Sequence, residues 1–517
     1  MKNNAILLIH PPITKPCEPP AGLAKLAHTL RSHDVGCRIY DASIDGILGL
    51  LETPQDADDT WTRRALAHRG ANIDALHSPH LFTNPDRYKR AVMDVNRVVA
   101  AAGRSFQATL SLANYTDPHL SPVRSRDLVR AARSYTANPF YPVFSRRLTA
   151  LFEQEEPEIV GVSISFMSQA LCAFAMIGLI REQLSGVRIV CGGGLVTSWM
   201  NIPGFGNPFQ GLVDELVCGP GESRLLELAK GSRPATVTVS GYDFSPIGMD
   251  RYLAPLPVLP YAASRGCWWK KCAFCPEAAE DAPYRSEAPA DVIEDLNRLT
   301  ARTPTGLIHF LDNALSPRLL EQLTTHPPEV PWYGFARITR HLGDPDFVQQ
   351  LKQSGCVLLK LGVESGDQTV LDALGKGIDI AMAAKAIQAL HRAGIATYVY
   401  LLFGTPAEDE AAAERTLAFT LAHASSIDFL NLAIFNLPAH GSEAGMLDTA
   451  DFYAGDLSLY REFVHPKGWG RSRVRPFLSK VFKKQLAIQA ILNNDPPFFT
   501  SNHAPFFHLE PVAPVAK

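Results

Sequence analysis

Three of the nine cysteines fall on one short segment, Ser264-Arg-Gly-Cys267-Trp-Trp-Lys-Lys-Cys272-Ala-Phe-Cys275-Pro-Glu277. The spacing is C-x4-C-x2-C. Three thiolates on one loop can converge on a single soft metal centre. Cubane iron–sulfur (4Fe-4S) clusters commonly take four cysteine thiolates. Three ligands leave one iron open to an exchangeable ligand, an arrangement suited to catalysis rather than electron transfer alone. Gly266 lets the backbone turn into the loop, and Lys270 and Lys271 can offset thiolate charge. Two other readings stand beside this one. A structural zinc site wants four closed ligands, and the loop offers no fourth Cys or His. The third reading is three unrelated thiols. Cys17, Cys37, Cys172, Cys191, Cys218 and Cys356 are dispersed, several in apolar runs such as Arg188-Ile-Val-Cys191. They read as buried reduced thiols, not a disulfide framework.

The cysteine loop follows a strand, and the elements after it alternate regularly. Strands are expected at 258–264, 306–312, 332–337, 357–364, 397–404 and 429–437. Helices are expected between them at 289–300, 317–324, 344–353, 379–393 and 407–423. Six strands with five intervening helices fit an open or partial (β/α) barrel, whose site is built from the loops after the strands. The polar residues fall at such ends: Asp312 and Asn313 after the second strand and Arg337 after the third. Glu364, Ser365 and Gly366 follow the fourth, and Gly404-Thr-Pro the fifth. Taken singly, Glu364 is also readable as a solvated carboxylate, Asp312 as a helix cap and Gly404-Thr-Pro as a turn. Arg337 could meet a carboxylate or phosphate.

Upstream, residues 5–230 also alternate strand and helix, with strands expected at 5–9, 37–41, 159–165 and 188–194. That pattern implies a doubly wound, Rossmann-like parallel sheet with ligands at its carboxyl edge. Ser163, Ser165, Gly192, Gly193, Gly194, Gly219, Gly221 and Glu222 gather at those strand ends. No G-x-G-x-x-G follows the first strand, so the dinucleotide fingerprint is missing. A polar stretch at about 50–150 reads as a helical insertion without clear strands. The expected division is 1–235, a linker at 236–257, the barrel at 258–445, and a mostly helical C-terminal extension at 446–517. The extension carries basic residues (Arg471, Arg473, Arg475, Lys480, Lys483, Lys484), read as a solvated helix face, and a Phe-rich end read as packing.

The cysteine loop resembles the cluster-binding loop of radical S-adenosylmethionine (SAM) enzymes. The usual family spacing is C-x3-C-x2-C; the extra residue, with Trp after the first Cys, is similar to some cobalamin-binding members. The resemblance covers about 230–445. It implies that Cys267, Cys272 and Cys275 ligate a 4Fe-4S cluster and that Phe274 lies near the SAM adenine. It places Asp312 and Asn313 by the SAM amino group, Glu364 and Ser365 by the ribose and methionine, and Gly404 beside the adenosine. The N-terminal layout looks like the cobalamin-binding domain that precedes the barrel in one large subfamily, although no Asp-x-His-x-x-Gly signature follows the first strand. The implied activity is reductive cleavage of SAM to a 5′-deoxyadenosyl radical, with methylation of an unactivated carbon of a small-molecule or peptide substrate. An electron donor such as flavodoxin or ferredoxin is implied as partner. Alternatives are radical chemistry without cobalamin, and a non-catalytic iron–sulfur or corrinoid-binding protein. Transfer RNA methylthiolation would call for three further grouped cysteines, and Cys17, Cys37 and Cys172 lack that grouping.

The whole-chain numbers fit a multi-domain globular protein. The chain has 517 residues, 46% hydrophobic and 20% charged, enough apolar material for more than one core. A net charge of -3 gives no global attraction to nucleic acid or anionic membrane. The expected setting is cytoplasmic, with no signal-peptide core at the start and no bilayer-length apolar run.

Overall fold

The computed structural model describes residues 6–53, 55–232, 241–499 and 503–508. Positions 236–240 of the expected linker lie outside the described residues. The chain divides into two compact units. One comprises Met1–Val258 with Ala454–Ser458 and Pro497–Phe499, and the other comprises the remainder.

In the first unit, strands β1 (Ile6–His10), β2 (Cys37–Asp41), β3 (Ile159–Ser163), β4 (Arg188–Gly192) and β5 (Glu215–Leu216) form one sheet in the order β2-β1-β3-β4-β5. All neighbouring pairs are parallel. β1 is buried at every position, as a strand covered on both faces must be. Its Ile6 and Leu8 pack with Leu23, Ala27 and Leu30 of helix Ala21–Arg31 and with Leu225 and Leu226 of helix Glu222–Lys230. The strand order reverses between β1 and β3, where a crevice opens at the carboxyl ends. The insertion is helical, as in Pro85–Gly103, which is capped by Asn84 and opened by Pro85. It also holds an antiparallel pair, Thr109–Leu110 with Tyr115–Thr116. Two-residue strands are too short to leave an alternation in the sequence, so the expectation of no strands there is corrected.

In the second unit, β6 (Val258–Tyr261), β7 (Leu307–Leu315), β8 (Trp332–Ala336), β9 (Cys356–Glu364), β10 (Ala396–Phe403) and β11 (Phe429–Ile434) lie side by side in sequence order. Helices Pro289–Thr300, Pro317–Thr325, Pro345–Gln353, Ile380–Arg392 and Glu410–Ala422 separate them. Together they form the open (β/α)6 barrel. Ser316, Asp344, Asp379 and Asp409 each accept a first-turn N–H, which fixes where four of these helices begin. β7 does not stop at Asp312. It continues to Leu315, with its register to β8 broken between Phe310 and Leu315. Such an irregularity re-aims side chains beside a site.

The C-terminal extension is not helical throughout. Its strands Thr449–Asp451 and Tyr460–Phe463 join Leu437–Pro438, from the end of the expected barrel range, in a small antiparallel sheet ahead of helices Arg471–Lys480 and Leu486–Leu492. Arg473, Arg475, Lys480, Lys483 and Lys484 are exposed. Arg471 instead turns over the Phe452 ring, 4.7 Å from its centroid. Phe507 packs on Phe429 with ring centroids 5.5 Å apart. Among the described residues, no helix is long and apolar enough to cross a membrane.

Candidate functional site

The loop after β6 holds the three thiols. Asp312 fixes where the loop starts: its carboxylate accepts the Ala263 N–H at 3.0 Å and the Ser264 hydroxyl at 2.5 Å. Asp312 is buried, and burial pushes its carboxyl above the usual range. Gly266 turns the chain at φ 70°, with the backbone of Pro283 where a Cβ would stand. Farther along, the Ala273 N–H donates to Leu374 O at 3.0 Å. The Trp269 indole N–H donates to Gly375 O at 2.9 Å. The segment after β9 therefore cradles the loop.

Cys267, Cys272 and Cys275 are each partly buried. Burial raises the Cys272 and Cys275 thiols, while the charges of Lys376 and Arg337 pull Cys272 back down. The three sulfurs lie within electrostatic reach of one another. Among the described residues, no three His, Cys, Asp or Glu side chains are already arranged as a metal-holding set. The thiols are thus loop neighbours rather than a preformed triangle. A metal would draw them together and displace their protons.

Around the loop stand the other strand-end residues. Glu364 closes β9 with φ 69°, a left-handed conformation uncommon for a non-glycine residue. Its carboxylate pairs with Lys376 Nζ at 2.7 Å, and both side chains are nearly buried. Arg337, just past β8, is buried and its positive charge acts on the Cys272 thiol. Lys376 Nζ lies 5.5 Å from the Phe274 ring centroid, and Phe274 packs on the cluster of Val370, Leu374 and Ala412. Ser365 is fully buried. Its hydroxyl meets Thr416 Oγ1 at 3.1 Å and accepts the Asp367 N–H at 3.1 Å. Asn313 is exposed. Gly404, at φ 76°, donates its N–H to Glu408 Oε2 at 2.5 Å. The structure thus gathers Glu364, Arg337 and Phe274 with the thiols, while Ser365 and Gly404 act in backbone scaffolding.

Three features escaped the sequence reading. One is Glu408, whose lone position after a turn resembles a solvated helix start. Another is the ring stack of Arg337 on Trp269. The third lies on inward strand faces: Lys360 Nζ sits 2.9 Å from His309 Nε2, and His309 stacks on Tyr333 with centroids 4.3 Å apart. A Lys inside an apolar strand run was the available signal for that third feature.

The first unit carries a separate site. A cavity of about 270 Å³ opens at the carboxyl ends of β3, β4 and β5. Its lining includes Ser163, Ser165, Gly192, Gly193, Gly194, Gly219, Gly221 and Glu222, with Leu8, Gly22 and Val217. A Cβ at Gly22 or Gly219 would meet nothing within 4 Å, and one at Gly192 or Gly194 nothing nearer than 3.7 Å. These glycines keep open a space that side chains would fill. Gly193 is different: at φ 102° its Cβ would stand 2.5 Å from Ile164 O, so it serves the close packing of two loops. The Thr197 hydroxyl donates to Gly193 O at 3.0 Å and accepts the Gly219 N–H at 2.9 Å, tying the two glycine turns together.

Residues 261–420 match the family model described as Radical SAM superfamily. An uncharacterized methyltransferase of Pyrococcus horikoshii is 23% identical over 325 residues, covering 56% of this chain and 68% of the relative. An anaerobic magnesium-protoporphyrin IX monomethyl ester cyclase of Rubrivivax gelatinosus is 25% identical over 178 residues, only 32% of its own length. Among solved structures, the radical S-adenosylmethionine methyltransferase TsrM from Kitasatospora setae, determined with cobalamin and a [4Fe-4S] cluster, aligns with a TM-score of 0.56 at 14% identity. That alignment covers 92% of this chain and 90% of TsrM. The cobalamin-dependent radical enzyme OxsB aligns with a TM-score of 0.55 at 12% identity, covering 90% of this chain and 65% of OxsB. At these identities the two structures show a shared fold.

Proposed function

Because residues 261–420 of this chain form a radical SAM domain, we propose that the protein is a cobalamin-dependent radical SAM methyltransferase acting on an unactivated carbon of a small-molecule or peptide substrate. The observation that carries the reading is the cysteine loop at the barrel's carboxyl end, held by Asp312 and by the 374–375 backbone.

The donor set fits an iron–sulfur cluster: three thiols on one loop, with no fourth Cys or His to close a zinc site. Cys267, Cys272 and Cys275 would hold it. The glycine cradle fits a slim, extended group, so Ser163, Ser165, Gly192, Gly194, Gly219 and Gly221 would hold the nucleotide tail of cobalamin. When bound, the cluster supplies an electron to the SAM sulfonium and cobalamin supplies the transferable methyl group.

The chain's own residues do the rest. Lys376 and Arg337 offset thiolate charge. Glu364, held by Lys376, presents a fixed carboxylate for hydroxyl or ammonium donors of SAM. Phe274 and the Val370–Leu374–Ala412 cluster keep water from one side of the loop. An external one-electron donor of the flavodoxin or ferredoxin kind would complete turnover.

The test is anaerobic reconstitution of the full chain with iron and sulfide. Wild type should bind about four irons per chain, as a cubane requires, and release 5′-deoxyadenosine from SAM under strong reductant. Replacing Cys267, Cys272 and Cys275 together by Ala should remove both. Zinc in the loop, or SAM cleavage by the triple variant, would end the reading. If SAM is cleaved but corrinoid never binds, as followed by its visible absorption, radical chemistry without cobalamin replaces it.

A further inference from the structure

Arg337 lies at the meeting point of three features. It is 8% exposed, and its guanidinium carbon stands 3.9 Å from the Trp269 ring centroid and 5.9 Å from that of Trp268. The two indoles meet edge to face at 6.2 Å. Trp269 is itself locked: its N–H is donated to Gly375 O, and its ring occupies the space where a Cβ on Gly377 would go. The Arg337 charge also acts on the Cys272 thiol, and the Arg337 Nη2 is buried without a hydrogen-bond partner among the described residues. One planar cation is therefore stacked on an aromatic face of the loop, with its charge felt at one of the loop's thiols. Both tryptophans belong to the four-residue gap between Cys267 and Cys272, the part of the loop with no metal ligand of its own.

We propose that Arg337 is a positioning residue for the cysteine loop: by stacking on Trp269 it holds the wide gap in one conformation and keeps a positive charge beside Cys272. The proposal rests on the reading that the three cysteines hold a cluster. Arginine suits this task because its flat guanidinium stacks on an indole face while carrying a permanent positive charge. Lysine would keep the charge and lose the stack. A positive charge beside a ligand sulfur favours the reduced, more negative state of a bound cluster, so its removal shifts the potential downward.

The experiment compares full-length wild type with Arg337→Ala, Arg337→Lys and Trp269→Leu. In iron-free protein, hydrogen exchange of the 267–275 amides is measured. In reconstituted protein, retention of iron against a chelator and the midpoint potential are measured. Arg337→Ala should speed loop exchange severalfold while first-unit amides keep wild-type rates, which shows the variant is folded. It should lose iron about tenfold faster, the scale of a lost outer-shell partner, and titrate at a more negative potential. Arg337→Lys should recover part of the potential but not the exchange protection. Trp269→Leu should loosen the loop with a smaller change in potential. Wild-type exchange and potential in Arg337→Ala would overturn the proposal. If wild type binds no iron yet Arg337→Ala still loosens the loop, the cluster reading falls and the positioning role stands.

Discussion

Glu408 shows how one side chain can carry the titration of a whole turn. It is fully buried. Oε2 accepts from the Gly404 N–H and, at 3.0 Å, from the Trp469 indole, while Oε1 has no partner. Burial pushes its pKa up to about 7 against an ordinary 4.5. A carboxyl raised in the fold binds a proton there that the unfolded chain has already released. Its contribution therefore makes stability fall as pH rises from about 4.5 to about 7 and level off above. Glu408→Gln keeps the shape and removes the charge. The difference between wild-type and variant unfolding free energies should change by a few kcal/mol across that window, read from denaturant melts at several pH values. A pH-independent difference would refute the assignment. Charged groups near the turn, among them Asp409, Asp367, Lys467 and His465, are common to both proteins and drop out of the comparison.

At the scale of elements, glycines with positive φ set the loop geometry. Gly375 at φ 61° lies against Lys271 O, and Gly377 at φ 62° lies against the Trp269 ring. Gly375→Ala should cost about 1–3 kcal/mol of local strain and loosen iron binding by the second unit, measured as retention against a chelator. In the first unit the glycines divide into two kinds. Gly193→Ala should lower the melting temperature, because its Cβ meets Ile164 O. Gly194→Leu should leave melting nearly unchanged and abolish corrinoid binding, because its side chain would enter the cavity. Equal melting of these two variants would refute the division. Much of this framework was legible in the sequence. Helix 289–300 and strand Cys37–Asp41 fall where periodicity puts them, because apolar spacing is a local signal. The continuation of β7 past Asp312, the Arg337–Trp269 stack and the Trp469–Glu408 bond were not legible. Each depends on partners tens of residues apart that no local pattern encodes. The three-stranded sheet around 437–463 escaped for a related reason, since its strands have two to four residues.

For the whole molecule, the two units carry two candidate sites with separate side-chain sets. No residue of the glycine cradle belongs to the cysteine loop. The triple cysteine variant should therefore bind corrinoid with wild-type affinity while holding no iron, followed by visible absorption and iron analysis on the same sample. Loss of both together would show that the cradle depends on the loop. The cysteines also differ in access. Cys218 is exposed, whereas the other eight are buried or partly buried. It directly precedes Gly219, on the rim of the cradle. The chain thus already carries a native attachment point for a maleimide dye, and a fluorophore placed there would report filling of the cavity by quenching, without any engineered thiol.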